Sequence, residues 1–366
     1  MRGTMLPALC LIVLLCLTAC SVGTGASTPT PAPVPPQTSP PPIAATATPT
    51  STPYNGPINP LSGMPTDAET AAQRPVSVML NNLKQALPQL GQSQADIIYE
   101  VVAEGGITRM LGVFQSVEDV GMIGSIRSAR SYYIELAMGH DALFIHAGGS
   151  EDAYADLGKW EVDHFDAVRG PYLGKTPESN MMWRDDDRRR ENGYEHSVVA
   201  TGTSILDHLP SDLRREHEEG YDAGLSFCDD GTPVGGSPAS VVTVPFSNYK
   251  TGVFTYDPES GRYLVSEYGE PYIDGNTGEQ VGVTNVVVLR TACRNTGDSY
   301  GHVSADLSSG GTGYFACGGK VMDLVWSKSE PDGQLYYTDL EGSPIVFGRG
   351  KTYVNIVPLD SQVTFE

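Results

Sequence analysis

Glu100, Glu104 and Arg109 place two carboxylates and a guanidinium within one short stretch. These are the residue types that acid–base chemistry or recognition of an anion would need. The flanking runs, 97–104 and 107–114, are rich in β-branched and aromatic residues and are separated by Gly105-Gly106. Two glycines favour a two-residue hairpin turn, because both central positions can require positive φ. That turn pairs Glu104 with Ile107, Val102 with Arg109 and Glu100 with Leu111. Arg109 is then expected diagonally between Glu100 and Glu104 on one face, with Tyr99, Val101, Ala103, Met110 and Phe114 on the other. Charges on a covered face must pair or line a cleft, because desolvating one alone is costly. The three residues therefore read either as a buried structural cluster or as the wall of a ligand cleft.

Two further arginines, Arg127 and Arg130, fall just before a helical pattern over 131–138 that stops at Gly139. A helix N-terminus favours anions, so the arginines need a bound anion or a glutamate partner there, unless they extend to solvent. His146 ends an apolar run, 142–146, followed by Gly148-Gly149 and a helix start at Ser150. The ring either faces the same cleft or is satisfied in the core, and Ser150 reads as a helix cap. No Gly-x-Ser-x-Gly elbow exists, and no Cys/His spacing suits a metal. No catalytic residue, metal or cofactor is assigned. The ligand-binding candidates are Glu100, Glu104, Arg109, Arg127, Arg130 and His146.

These residues sit in a chain of distinct segments. No charged residue occurs between Arg2 and Asp67. The apolar run 6–17 has the length of a signal-peptide core and is too short to span a bilayer. It leads into Leu17-Thr18-Ala19-Cys20, a lipobox pattern that nominates Cys20 for lipidation and residues 1–19 for removal. Residues 20–57 are rich in Pro, Thr and Ser and have too little apolar surface to fold, so they read as an extended tether. Alternating strand and helix patterns over 58–227 indicate a mixed α/β domain. A turn-rich linker over 228–239 precedes strand-like segments over 240–366, which suggest a small β-barrel or sandwich. Of the remaining cysteines, Cys293 and Cys317 close separate β-segments and are candidates for a disulfide, with Cys228 left free.

Formal charge is −21, from 23 basic and 44 acidic residues. That balance speaks against nucleic-acid binding and a polybasic membrane surface.

Several motifs together resemble the YerB-like bacterial lipoproteins, a family of unknown function. They are Asn59-Pro60-Leu61-Ser62-Gly63, Arg74-Pro75-Val76, 95–100, 104–109, Arg127-Ser128-Ala129-Arg130 and 146–150. In the second half Gly313-Tyr314-Phe315, 325–328 and 350–354 continue the series. The resemblance implies an α+β fold, with a mixed N-terminal domain and a β-rich C-terminal one. It also implies an extracytoplasmic protein anchored to the cell membrane by an N-terminal lipid. Where relatives carry Pro-His-Asn, this chain has Glu195-His196-Ser197, which weakens any role carried over to His196. Two functions follow as expectations. One is a non-catalytic envelope protein that binds a cell-wall polymer or another envelope protein. The other is an envelope hydrolase or transferase acting on an anionic wall polymer, with Glu100 or Glu104 as acid or base.

Overall fold

The computed structural model describes residues 54–366. The leader, Cys20 and the tether up to residue 53 lie outside the described residues. Strands β1 (Val76–Asn81), β2 (Ile97–Val102) and β3 (Thr108–Phe114) are buried along their whole length. Their near-continuous apolar sequence suits strands covered on both faces. Helix α1 (Ser131–Gly139), strand β4 (Leu143–His146), helix α2 (Glu151–Lys159) and strand β5 (His164–Asp166) follow.

In the second half, 241–245, 251–257 and 262–267 form an antiparallel meander. Strands β6 (Asn285–Thr291), β7 (Gly311–Cys317), β8 (Lys320–Ser327) and β9 (Thr352–Pro358) then join the first half. The main sheet runs β8-β7-β6-β9-β2-β3-β1-β4-β5, and short segments beside β8 bring it to eleven strands. Strand β9 is parallel to both β6 and β2. Six of its seven residues are buried, so it needs neighbours on both edges.

The result is a mixed α/β fold with a β-rich C-terminal region. The separate barrel or sandwich expected for that region does not form, because its strands divide between the shared sheet and the meander. Helices α1 and α2 cover one face of the shared sheet, where Tyr132, Tyr133 and Leu157 meet Tyr99, Val101, Leu111 and Ile356. The meander covers the other face, where Val242, Phe254 and Val265 meet Ile98, Met110 and Tyr353. Among the described residues, no helix is long and apolar enough to cross a membrane.

Two expectations need correction. The β2–β3 register pairs Val102 with Thr108, Val101 with Arg109 and Glu100 with Met110. The Ala103 N–H donates to the Ile107 carbonyl, so three residues, Glu104-Gly105-Gly106, make the turn. Both glycines there have positive φ, +64° and +77°. A one-residue slip moves side chains to opposite faces, and it separates Glu100 from Arg109.

The second correction is the Cys293–Cys317 disulfide. Cys317 lies opposite Asn285 at the start of β6, whereas Cys293 lies eight residues (293 − 285) further along the chain. Extended chain of that length covers roughly 26 Å. A disulfide needs Cα atoms within about 7 Å. Cys228, Cys293 and Cys317 are all free thiols.

Candidate functional site

The slip directs Arg109 to the helix side of the sheet, beside the start of α1. The segment before α1 is threaded between strand ends. Arg127 N–H donates to Met79 at the end of β1, and the Arg127 carbonyl accepts from Ala147 just after β4. Ala129 N–H donates to Gly148, which completes the clamp. Arg130 becomes the N-cap of α1 without a capping side-chain bond.

Glu104 bridges Arg109 and Arg130, with Arg130 Nη2 donating to Glu104 Oε2 at 2.7 Å. Both arginines are 4% exposed, so the bridge is largely dry. Burial alone would raise the Glu104 carboxyl, but Arg109 and Arg130 outweigh it and hold it below the usual range. Burial, reinforced by the like charge of Arg130, pushes the Arg109 guanidinium down to about 10. Of the arrangements the sequence left open for these arginines, Arg109 and Arg130 both take a glutamate partner, and it is Glu104.

A second layer lies outside the first. Arg127 Nη1 donates to the Glu195 carbonyl at 2.7 Å, and Arg184 Nη1 donates to the adjacent Tyr194 carbonyl at 2.7 Å. The Arg184 guanidinium also stacks 3.7 Å from the Tyr194 ring centroid. Burial, partly offset by Glu195 and Glu104, lowers the Arg127 guanidinium, and the nearby charges of Arg130 and Arg184 lower it further. The Glu195 carboxylate stands 3.9 Å from Arg127 and is mostly solvated. Four guanidiniums thus face two carboxylates, one of them screened by water, within a strongly acidic chain. The buried Nε–H groups of Arg127, Arg130 and Arg184 have no hydrogen-bond partner.

His196 borders this cluster. Asn81 Nδ2 donates to its Nδ1 at 2.8 Å, which leaves the ring proton on Nε2. Burial and the Arg127 charge lower its pKa, so the ring is neutral at pH 7. On the far side of the turn a groove of about 480 Å³ opens, lined by Val102, Gly106, Phe246, Asn248, Arg294 and Asp360.

His146 does not join the arginines. It is fully buried, with Nδ1 on the Gly148 carbonyl at 2.8 Å and Nε2 on His164 at 2.9 Å. Burial pushes it down to about 4, so it is a neutral core histidine. Ser150 caps α2 by accepting from Ala153 N–H, as its position suggested. Glu100 is also sealed, at 0% exposure on the meander side. Asn82 Nδ2 and Thr108 Oγ1 donate to its Oε1, and Tyr353 OH donates to its Oε2.

Sequence reasoning missed Arg184 and Asn81 in the outer layer. In the mixed-charge run 185–190, Arg188 is buried and donates to the Ala86, Pro88 and His196 carbonyls. The only signal for Arg188 was its place three residues after the capping residue Asp185. Among the described residues, no cluster of three or more His, Cys, Asp or Glu has a metal-binding arrangement.

Fold and site together define a class, a two-part α+β protein whose halves share one sheet and whose edge carries an arginine cluster. The chain belongs to the DUF3048 family of proteins of unknown function. Its N-terminal domain matches over residues 61–212 and its C-terminal domain over 242–354. The chain is 30% identical over 301 residues to "Putative lipoprotein YerB" of Bacillus subtilis (strain 168), covering 82% of this chain and 86% of the relative. The crystal structure of YerB from Bacillus subtilis superposes with a TM-score of 0.69 at 27% identity, covering 84% of this chain and 99% of that one. Homology therefore supports a lipoprotein of unknown function.

Proposed function

We propose that this protein is a non-catalytic lipoprotein of the cell envelope, anchored through lipidated Cys20, that binds an anionic cell-wall polymer at the Arg109–Arg127–Arg130–Arg184 cluster. The observation that carries this reading is the excess of guanidinium over carboxylate at one edge, with three buried Nε–H groups left without partners. Arginine forks match phosphate and carboxylate oxygens with paired, charge-assisted hydrogen bonds. Glu104 holds the inner arginines in place. Arg127 is part-exposed and offers the direct contact, with Arg184 beside it. His196 Nε2–H adds a neutral donor at the rim, and the groove beyond the turn gives an extended ligand somewhere to lie.

Binding rather than turnover also fits the two glutamates. Glu100 is sealed from any soluble substrate, and Glu104 is pinned by two arginines. The lipobox at Cys20 and the uncharged tether would hold the folded part at the outer face of the membrane, within reach of the wall. The test is co-sedimentation with purified wall polymer that carries phosphate or carboxylate groups. Retention of the intact protein should fall at least tenfold in Arg127→Ala/Arg184→Ala while its melting temperature is kept. Unchanged retention would overturn the reading.

A further inference from the structure

On the meander side of the β2–β3 hairpin, three ionisable side chains are packed together out of reach of bulk solvent. Glu100, Lys250 and Glu267 each have side chains 0% exposed. Lys250 Nζ lies 3.2 Å from Glu100 Oε1 and touches Glu267 Oε2 directly. Aromatic rings close the chamber, with Tyr268 centred 4.8 Å and Phe246 6.0 Å from Nζ. Burial drives the Tyr353 and Tyr272 phenols well above their ordinary value, so neither supplies charge.

Two carboxylates against one ammonium would leave a net negative charge in a dry core, which burial strongly opposes. The two glutamates are treated unequally. Three other donors satisfy Glu100, whereas Glu267 has Lys250 Nζ against Oε2 and no further partner on either oxygen. Charge balance therefore makes Glu100 the carboxylate and Glu267 the neutral acid. Burial also lowers the Lys250 amine, which favours its uncharged and nucleophilic form.

We infer that Lys250 and Glu267 condense to an intramolecular isopeptide bond, with Glu100 as the proton relay. Glu100 takes one proton from the Lys250 ammonium. The freed amine attacks Cδ of the Glu267 carboxylic acid, forming the N–C bond. The C–OH bond then breaks, and the hydroxyl leaves as water with a second proton from nitrogen. An ammonium, a carboxylate and an acid become a neutral amide, a neutral Glu100 and one water. No oxidant or cofactor enters the balance, and fixed contact in a desolvated chamber supplies the proximity such a step needs. Glu267 stands opposite Gly252 in the meander, two residues beyond Lys250. The bond would thus tie the 246–250 turn to the neighbouring strand, without a disulfide.

Tryptic mapping of the denatured, reduced full-length protein tests this. The linkage blocks cleavage after Lys250 and joins residues 216–262 to 263–290 in a branched peptide, lighter by one water than its two parts. Glu100→Gln should restore cleavage after Lys250, and Lys250→Ala should release 263–290 unbranched. Recovery of 251–262 and 263–290 from the unaltered protein at their unmodified masses would overturn the inference. A branched peptide that persists in Glu100→Gln would overturn the role given to Glu100.

Discussion

The β2–β3 hairpin carries charge on both faces, and its two faces handle that charge in opposite ways. On the meander side Glu100 meets Lys250 and Glu267 in a chamber with no exposure at all. On the helix side Glu104 pins Arg109 and Arg130, with Arg127 and Arg184 beyond them towards solvent. The first cluster can balance charge only internally, by neutralising an acid or by forming a bond. The second keeps an excess of positive charge at an edge, where an outside anion can complete it. Similar side chains end up sealed or facing solvent according to which layer covers them.

The largest effect should come from the sealed face. Lys250→Met strips the buried Glu100 and Glu267 of the nitrogen that both of them face, and loss of a buried partner costs about 3–5 kcal/mol. Urea unfolding of the full chain should show that loss, and a change under 1 kcal/mol would mean the chamber admits water. On the open face Arg109→Met should cost less, about 2 kcal/mol, because Glu104 keeps Arg130 and some solvation. Equal costs for the two variants would erase the contrast between the faces.

Acid should act away from both clusters. His146 and His140 have values held near 4 by burial, against an ordinary 6.5. Both are depressed, so their contribution is complete above pH 6.5 and is lost as pH falls towards 4. Melting temperature should drop on the order of 5 °C between pH 7 and pH 4.5, and His146→Gln should reduce the dependence. A flat profile would mean that neither ring is buried neutral. The smallest stability effect belongs to Arg127→Ala/Arg184→Ala, under about 1 kcal/mol, because both side chains reach solvent.

Much of this was readable from residue order. The apolar runs around Ile97 and Ile107, the helix after Arg130 and the cap at Ser150 follow from local pattern. The register did not, because Gly105-Gly106 suits both a two-residue and a three-residue turn. That single residue decides whether Glu100 or only Glu104 sees Arg109. Strand β9 reads as one more C-terminal strand, and only long-range pairing with Ile97–Val101 shows that it joins the halves. Lys250 follows Ser247-Asn248-Tyr249 and looks like a solvated turn lysine. Its burial depends on β2 and the meander strands closing over it, which no local pattern encodes.

The central claim is that the outer arginines are held ready for an anion. Calorimetric titration of a short phosphodiester oligomer into the intact protein and into Arg127→Ala/Arg184→Ala tests it most directly. The account predicts saturable binding to the unaltered protein that weakens as salt rises, and affinity at least tenfold lower in the variant, about 1.4 kcal/mol or more. Equal binding by both proteins, or none by either, would contradict it.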